Sequence, residues 1–171
     1  MPEQTNNFEA NLYADYVAGK ISIADLSGFI AKQPMVAQLY FLRGSEYAED
    51  GQTELAMADF ATAVLLEPEF KLARLQYCFC CMTPEWVSMV PVLLQPLLFA
   101  EDLYATYAQA LLALMQQQTE HYDQLFSQLK QSDFPAAMLQ NLQQLAEQLS
   151  DRTSQNNEIS PVLLEIYSQK H

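Results

Sequence analysis

Met35–Pro68 reads MVAQLYFLRGSEYAEDGQTELAMADFATAVLLEP, and this stretch decides the fold. Two apolar patterns of helical period flank the polar turn Asp50-Gly51-Gln52. In the first, Tyr40, Gly44 and Tyr47 fall at i, i+4 and i+7, one face of a helix. In the second, Ala56, Phe60, Ala63 and Val64 do the same, and Pro68 closes the segment. Gly44 and Ala56 are small where two antiparallel helices must touch, and Tyr40, Tyr47 and Phe60 fill the space beside that contact. Gly51 is expected to end the first helix and Thr53 to cap the second through its hydroxyl. One such hairpin cannot bury its own apolar face, so it needs neighbours.

The residues in register, Tyr40-x2-Arg43-Gly44-x2-Tyr47 and then Ala56-x3-Phe60, Ala63 and Pro68, resemble a tetratricopeptide repeat (TPR). Tyr40 stands where tryptophan is usual, and Arg43 where leucine is commoner. The resemblance implies an all-α fold, a right-handed α-solenoid of antiparallel helix hairpins. Subtracting the repeat length of about 34 residues carries Gly44 to Ala10, Tyr47 to Tyr13, Phe60 to Leu26 and Pro68 to Pro34. That predicts a first, degenerate repeat with helices at Asn7–Gly19 and Ser22–Lys32, the second opened by the capping pair Ser22-x-x-Asp25. Adding the same length carries Gly44 to Cys78, Phe60 to Leu94 and Ala63 to Leu97. Phe70–Met82 is then the first helix of a third repeat. Thr83-Pro84 should start its second helix, and Pro91 and Pro96 should distort or split it.

Further on, Asp102–Gln116 and Thr119–Gln131 form another helical pair, in which the landmark residues no longer register. Asp133 and Pro135 open a helix through Met138, Leu142, Leu145 and Leu149. The predicted organisation is a single helical domain over 1–150, with repeats at about 1–34, 35–68, 69–102 and 103–131 and a capping helix at 134–149. Residues 151–171 are read as a polar linker, Asp151–Ser160, and a short terminal helix, Val162–Gln169.

Composition narrows the function. Half of the 171 residues are hydrophobic, 17% are charged and glycines number 4, which favours helices over strands. A net charge of −13 argues against nucleic acid and anionic membrane surfaces as partners. It suits a basic protein client, or simple solubility. The polar start MPEQTNNFEA carries no signal-peptide pattern. The most apolar run, Trp86–Ala100, is too short and too broken by Pro91 and Pro96 to span a bilayer. A cytoplasmic protein is expected.

Cys78-Phe79-Cys80-Cys81 contains a C-x-x-C pair, but inside a predicted helix and not at its start, where thiol activation is usual. The only histidines are His121 and His171, too few to complete a zinc site with these thiols. The cysteines are read as small core residues, with Cys78 in the glycine position. Glu120-His121-Tyr122-Asp123 matches no metal or catalytic motif, and there is no glycine-rich phosphate loop. No catalytic, metal or cofactor site is expected, and the chain is not expected to be an enzyme.

In TPR arrays the first helices line a concave groove that holds a peptide, and the resemblance implies the same here. By register the groove would hold Asn7, Asn11 and Asp15, then Phe41, Ser45 and Glu49, then Leu75 and Phe79. The basic residues by which some TPRs clamp a C-terminal carboxylate are missing from this face. An acidic rim around apolar anchors suits an apolar segment carrying lysine or arginine. The expected function is a non-enzymatic adaptor or scaffold that binds an extended or helical segment of a partner protein. The alternatives are a bacterial secretion-type chaperone, or an acidic immunity or inhibitor protein masking a basic partner. Self-association through the groove is the purely structural alternative.

Overall fold

The computed structural model describes residues 12–155, with side chains as far as Asp151. The structure among these residues is all-α, without a strand. The predicted helix Val162–Gln169, the start of Asn7–Gly19, and Asn7 and Asn11 lie outside them. Contacts divide the chain into two compact units, Met1–Thr83 and Pro84–His171.

In the first unit, residues 12–17 are helical, followed by α1 (Ile23–Lys32), α2 (Ala37–Glu49), α3 (Thr53–Leu66) and α4 (Lys71–Cys80). The capping pair forms as predicted: the Asp25 amide donates to Ser22 Oγ at 3.2 Å, and the Ser22 amide donates to Asp25 Oδ2 at 3.0 Å. The Ser22 hydroxyl also donates to Asp25 Oδ2 at 2.6 Å, and this bond first, then that from the Ser22 amide, holds the Asp25 carboxyl below its ordinary pKa. Glycine closes the first turn of helix and α2 alike. Gly51, at φ 72°, sits past the end of α2; its amide donates to the Ala48 carbonyl at 3.1 Å and the next amide, Gln52, reaches back to Tyr47 at 2.8 Å. Gly19, at φ 67°, repeats this with Tyr16 at 2.8 Å and Asp15 at 3.0 Å. Only glycine adopts that left-handed conformation without a steric cost, so both helices stop where they do.

The start of α3 differs from expectation. Gln52 takes the cap position and no side-chain hydrogen bond caps the helix; Thr53 is already its first residue. Thr53 therefore has helical dihedrals, and its hydroxyl cannot act in the cap role.

The hairpin α2–α3 is antiparallel. Gln38 Nε2 reaches Glu67 at 3.1 Å near one end, and Arg43 Nε reaches Asp59 at 2.7 Å further along. Gly44 is the point of closest approach. A Cβ placed there would meet the Phe60 ring at 3.0 Å and Asp59 Cβ at 3.2 Å, so the neighbour that demands glycine is the phenylalanine ring. One cluster of Leu12, Leu26, Leu39 and Leu42 joins α1 and α2 to the preceding helical turn. A second, of Ala37, Ala63 and Ala73, joins α2, α3 and α4. The loop before each first helix is tied down in the same way: Tyr40 Oη donates to the Pro34 carbonyl at 3.1 Å, and Arg74 Nη2 donates to the Pro68 carbonyl at 2.9 Å. Both donor and acceptor are displaced by the same 34 residues (74 less 40, 68 less 34).

The second unit holds a 3-10 turn, Val87–Met89, then α5 (Val90–Leu98), α6 (Leu103–Met115), α7 (Thr119–Lys130) and α8 (Ala136–Gln155). No helix begins at Thr83-Pro84. The chain instead makes the 3-10 turn, and α5 starts with Pro91 in its first turn and Pro96 inside it. The prolines do not split it: Pro91 sits in the first turn, where the missing N–H has no partner to lose, and the helix runs unbroken through Pro96 to Leu98. Asp102 caps α6, accepting from the amides of Tyr104 at 3.0 Å and Ala105 at 3.1 Å. Phe134 packs on α6, its ring 5.2 Å from Tyr107 and 5.3 Å from Tyr104, while Tyr107 Oη donates to the Met138 carbonyl at 3.0 Å. The polar stretch from Asp151, read as a linker, continues α8 to Gln155. It contains no glycine or proline to end the helix there.

A relationship between the two units appears in their numbering. The pair α6–α7 starts 66 residues after α2–α3 (103 less 37, 119 less 53), with equally long first helices. Gln117, at φ 57°, takes the place of Gly51, with the Gln118 amide reaching Ala113 at 2.9 Å. Ala110 takes the place of Gly44 and is fully buried.

Candidate partner-binding face

The helical turn 12–17, α2 and α4 adjoin in that order. Leu12 and Tyr16 pack with Leu39 and Leu42 of α2, and Phe41 of α2 packs with Phe70 at the start of α4. These are the helices on which the groove was predicted, and its residues fare differently.

Glu49 is exposed, and Asp15 is half exposed, paired with Lys20 Nζ at 3.0 Å. Ser45 is half-buried and its hydroxyl donates to the Phe41 carbonyl at 2.9 Å, so it is occupied within its own helix. Phe79 is half-buried. Leu75 is 0% exposed and belongs to the core; it cannot touch a client, and its place in the groove is withdrawn. Phe41 is engaged within the fold. It is half-buried and packs against both first-unit clusters, with the Phe60 ring at 6.0 Å and the Phe70 ring at 5.0 Å. It joins α2, α3 and α4, which leaves only part of its ring open. Helical register alone places Phe41 and Leu75 on the groove side; Phe60 and Phe70 from the following segments pack on Phe41, and Leu75 is fully enclosed.

What remains open is acidic. The Tyr16 phenol lies against Glu46 and Glu49 and is hydrogen-bonded to Glu46; burial first, then these carboxylates, raise its pKa above the ordinary value. This links the 12–17 turn to α2 and sets Glu46 and Glu49 beside Tyr16, whose sequence neighbour Asp15 is paired with Lys20. Tyr13 and Val17, 60% and 68% exposed, lie on the same short helix.

One constellation escaped the sequence reading. Arg43 grips Asp59 with both arms of its guanidinium, Nε to Oδ2 at 2.7 Å and Nη2 to Oδ1 at 2.8 Å, and donates from Nη1 to Ser27 Oγ at 3.0 Å. Its cationic carbon lies 5.9 Å from the Tyr40 ring and 5.8 Å from the Tyr47 ring. The hydrogen bonds to Asp59 outweigh the cost of partial burial and raise the Arg43 pKa. This group ties α1, α2 and α3 together. The signal was present in the sequence: an arginine in a leucine position faces Asp59, an acid in the middle of the apolar α3 pattern.

The thiols behave as core residues. Burial raises the pKa of Cys78, and pushes Cys80 and Cys81 up to about 11. Among the described residues no group of three metal-ligating side chains comes together, and no helix is long and apolar enough to cross a membrane. No protein-family description, curated protein or solved structure matches this chain.

Proposed function

We propose that this chain is a TPR-like array of helix hairpins acting as a non-enzymatic cytoplasmic adaptor, which binds a basic, partly apolar segment of a partner protein. The observation that carries the reading is the paired tie Tyr40–Pro34 and Arg74–Pro68, the same contact made at the repeat interval. The recurrence of the hairpin at α6–α7, with Ala110 and Gln117 in the places of Gly44 and Gly51, supports it further. Each hairpin leaves a face for the next, which is how repeat arrays build a continuous core.

The binding surface in this reading is the acidic part of the predicted groove, Asp15 and Glu49, joined by Glu46, together with the half-buried Phe79 of α4. Carboxylates on neighbouring helices set the orientation and association rate of a lysine- or arginine-bearing segment. Selection from a random peptide library on the immobilised protein tests this. Enriched peptides should combine basic and apolar residues, and enrichment should be lost on a Glu46→Lys, Glu49→Lys protein. Enrichment of acidic peptides, or none above background, would exclude the reading.

A further inference from the structure

A helix that is apolar all round should be covered all round. α5 is nearly so, yet it is covered on one side. Val90, Leu94 and Leu97 are buried, while Val92 is 71% exposed and Phe99 81%, with Gln95 and Pro96 exposed between them. Trp86 and Leu103, 43% and 38% exposed, extend the apolar character before and after the helix. Exposed apolar surface of this kind marks an interaction site. We propose that this face is a self-association surface, and that its occupant is the same face of a second copy of this chain.

Charge selects that occupant. From Trp86 to Ala100 the sequence contains no charged residue, in a chain of net charge −13. Two such polyanions repel wherever their acidic surfaces meet, and a neutral face is where they can approach. The nearest acids flank that run, Glu85 before it and Glu101 and Asp102 after it, and Asp102 is occupied as the cap of α6, so a basic partner would find carboxylates only at the rim. Interface centres are likewise depleted in charge and enriched in aromatic residues.

The spacing also suits a twofold. Val92 and Phe99 are about 10 Å apart along the helix, and their midpoint falls between Gln95 and Pro96. Two antiparallel α5 helices would set Val92 of each copy against Phe99 of the other, small against large. Gln95 would lie near the axis, where a primary amide serves as both donor and acceptor to its own copy. This is the self-complementarity that an isologous interface requires.

Sedimentation velocity on the full chain, over a range of concentrations at low and high salt, tests the proposal. The expected result is a monomer–dimer equilibrium that strengthens as salt rises, because screening weakens the repulsion between copies. The double change Val92→Glu, Phe99→Glu should weaken dimerisation about tenfold or more, with the helical circular dichroism unchanged. Gln95→Glu, a milder change on the same exposed face, should weaken it in the same direction and serves if the double variant misfolds. A monomer at every concentration and salt, a dimer indifferent to these changes, or one that salt weakens would overturn the proposal.

Discussion

Arg43 and Asp59 are joined by a two-pronged ion pair across the α2–α3 hairpin, with side chains only 20% and 7% exposed. A charge held so far out of water is stable only while its partner is present. Asp59→Ala should therefore cost about 2–4 kcal/mol, measured by urea unfolding. The double variant Arg43→Leu, Asp59→Ala should lose much less than the sum of the single changes, because it leaves no unpaired charge. Additive losses would mean that the pair is not coupled.

Two glycines should respond oppositely to one substitution. At Gly44 an added methyl meets the Phe60 ring at 3.0 Å, whereas at Gly28, exposed inside α1, it meets nothing within 4 Å. Gly28→Ala should stabilise by about 0.5–1 kcal/mol through helix propensity. Gly44→Ala should lose that gain to overpacking, and Gly44→Leu should destabilise by about 1–3 kcal/mol or more. Thermal melts of the three variants check this, and a Gly44→Leu melt equal to the parent would refute the packing described.

Phe41→Ala should lower stability by about 2–3 kcal/mol, somewhat below the cost at a fully enclosed phenylalanine. The residue supports α3 through Phe60 and α4 through Phe70. Chemical denaturation of this variant distinguishes a structural residue from an exposed anchor, which would leave the midpoint unmoved.

The thiols confer a pH dependence of known sign. With Cys80 and Cys81 at about 11 in the folded protein against an ordinary value of 9, the folded state holds these protons more tightly than the unfolded chain. Their contribution is intact below about pH 9 and is lost as pH rises from there toward 11. A Cys80→Ser, Cys81→Ser protein should lose less stability than the parent across that window in matched denaturation curves. Parallel curves would contradict the assignment.

The hairpin core was legible because Tyr40, Gly44, Phe60 and Ala63 act through helical spacing, which sequence carries directly. The capping pair Ser22–Asp25 was legible for the same reason, being a contact between near neighbours. The second unit was not, since its repeat lies 66 residues on and not twice 34, so the landmarks slip by two. Gln117 also hides the turn, by adopting at φ 57° a conformation that glycine normally signals. The burial of Leu75 and the packing of Phe70 on Phe41 were not legible, because register fixes which side of a helix a residue faces but not what is laid over it. The Arg43–Asp59 pair needed the pairing of two helices to be seen, although both residues depart visibly from the pattern around them.

The acidic face of the helical turn 12–17 and α2 is the surface proposed to receive a basic segment. The most direct measurement is fluorescence anisotropy of a labelled library-selected basic peptide, titrated with parent and Glu49→Lys proteins at low and high salt. Glu49 is exposed, so the change should leave the fold intact. Affinity should fall about tenfold at low salt, with the difference shrinking at high salt as screening replaces the carboxylate's role. Equal affinity of the two proteins at low salt would contradict the claim.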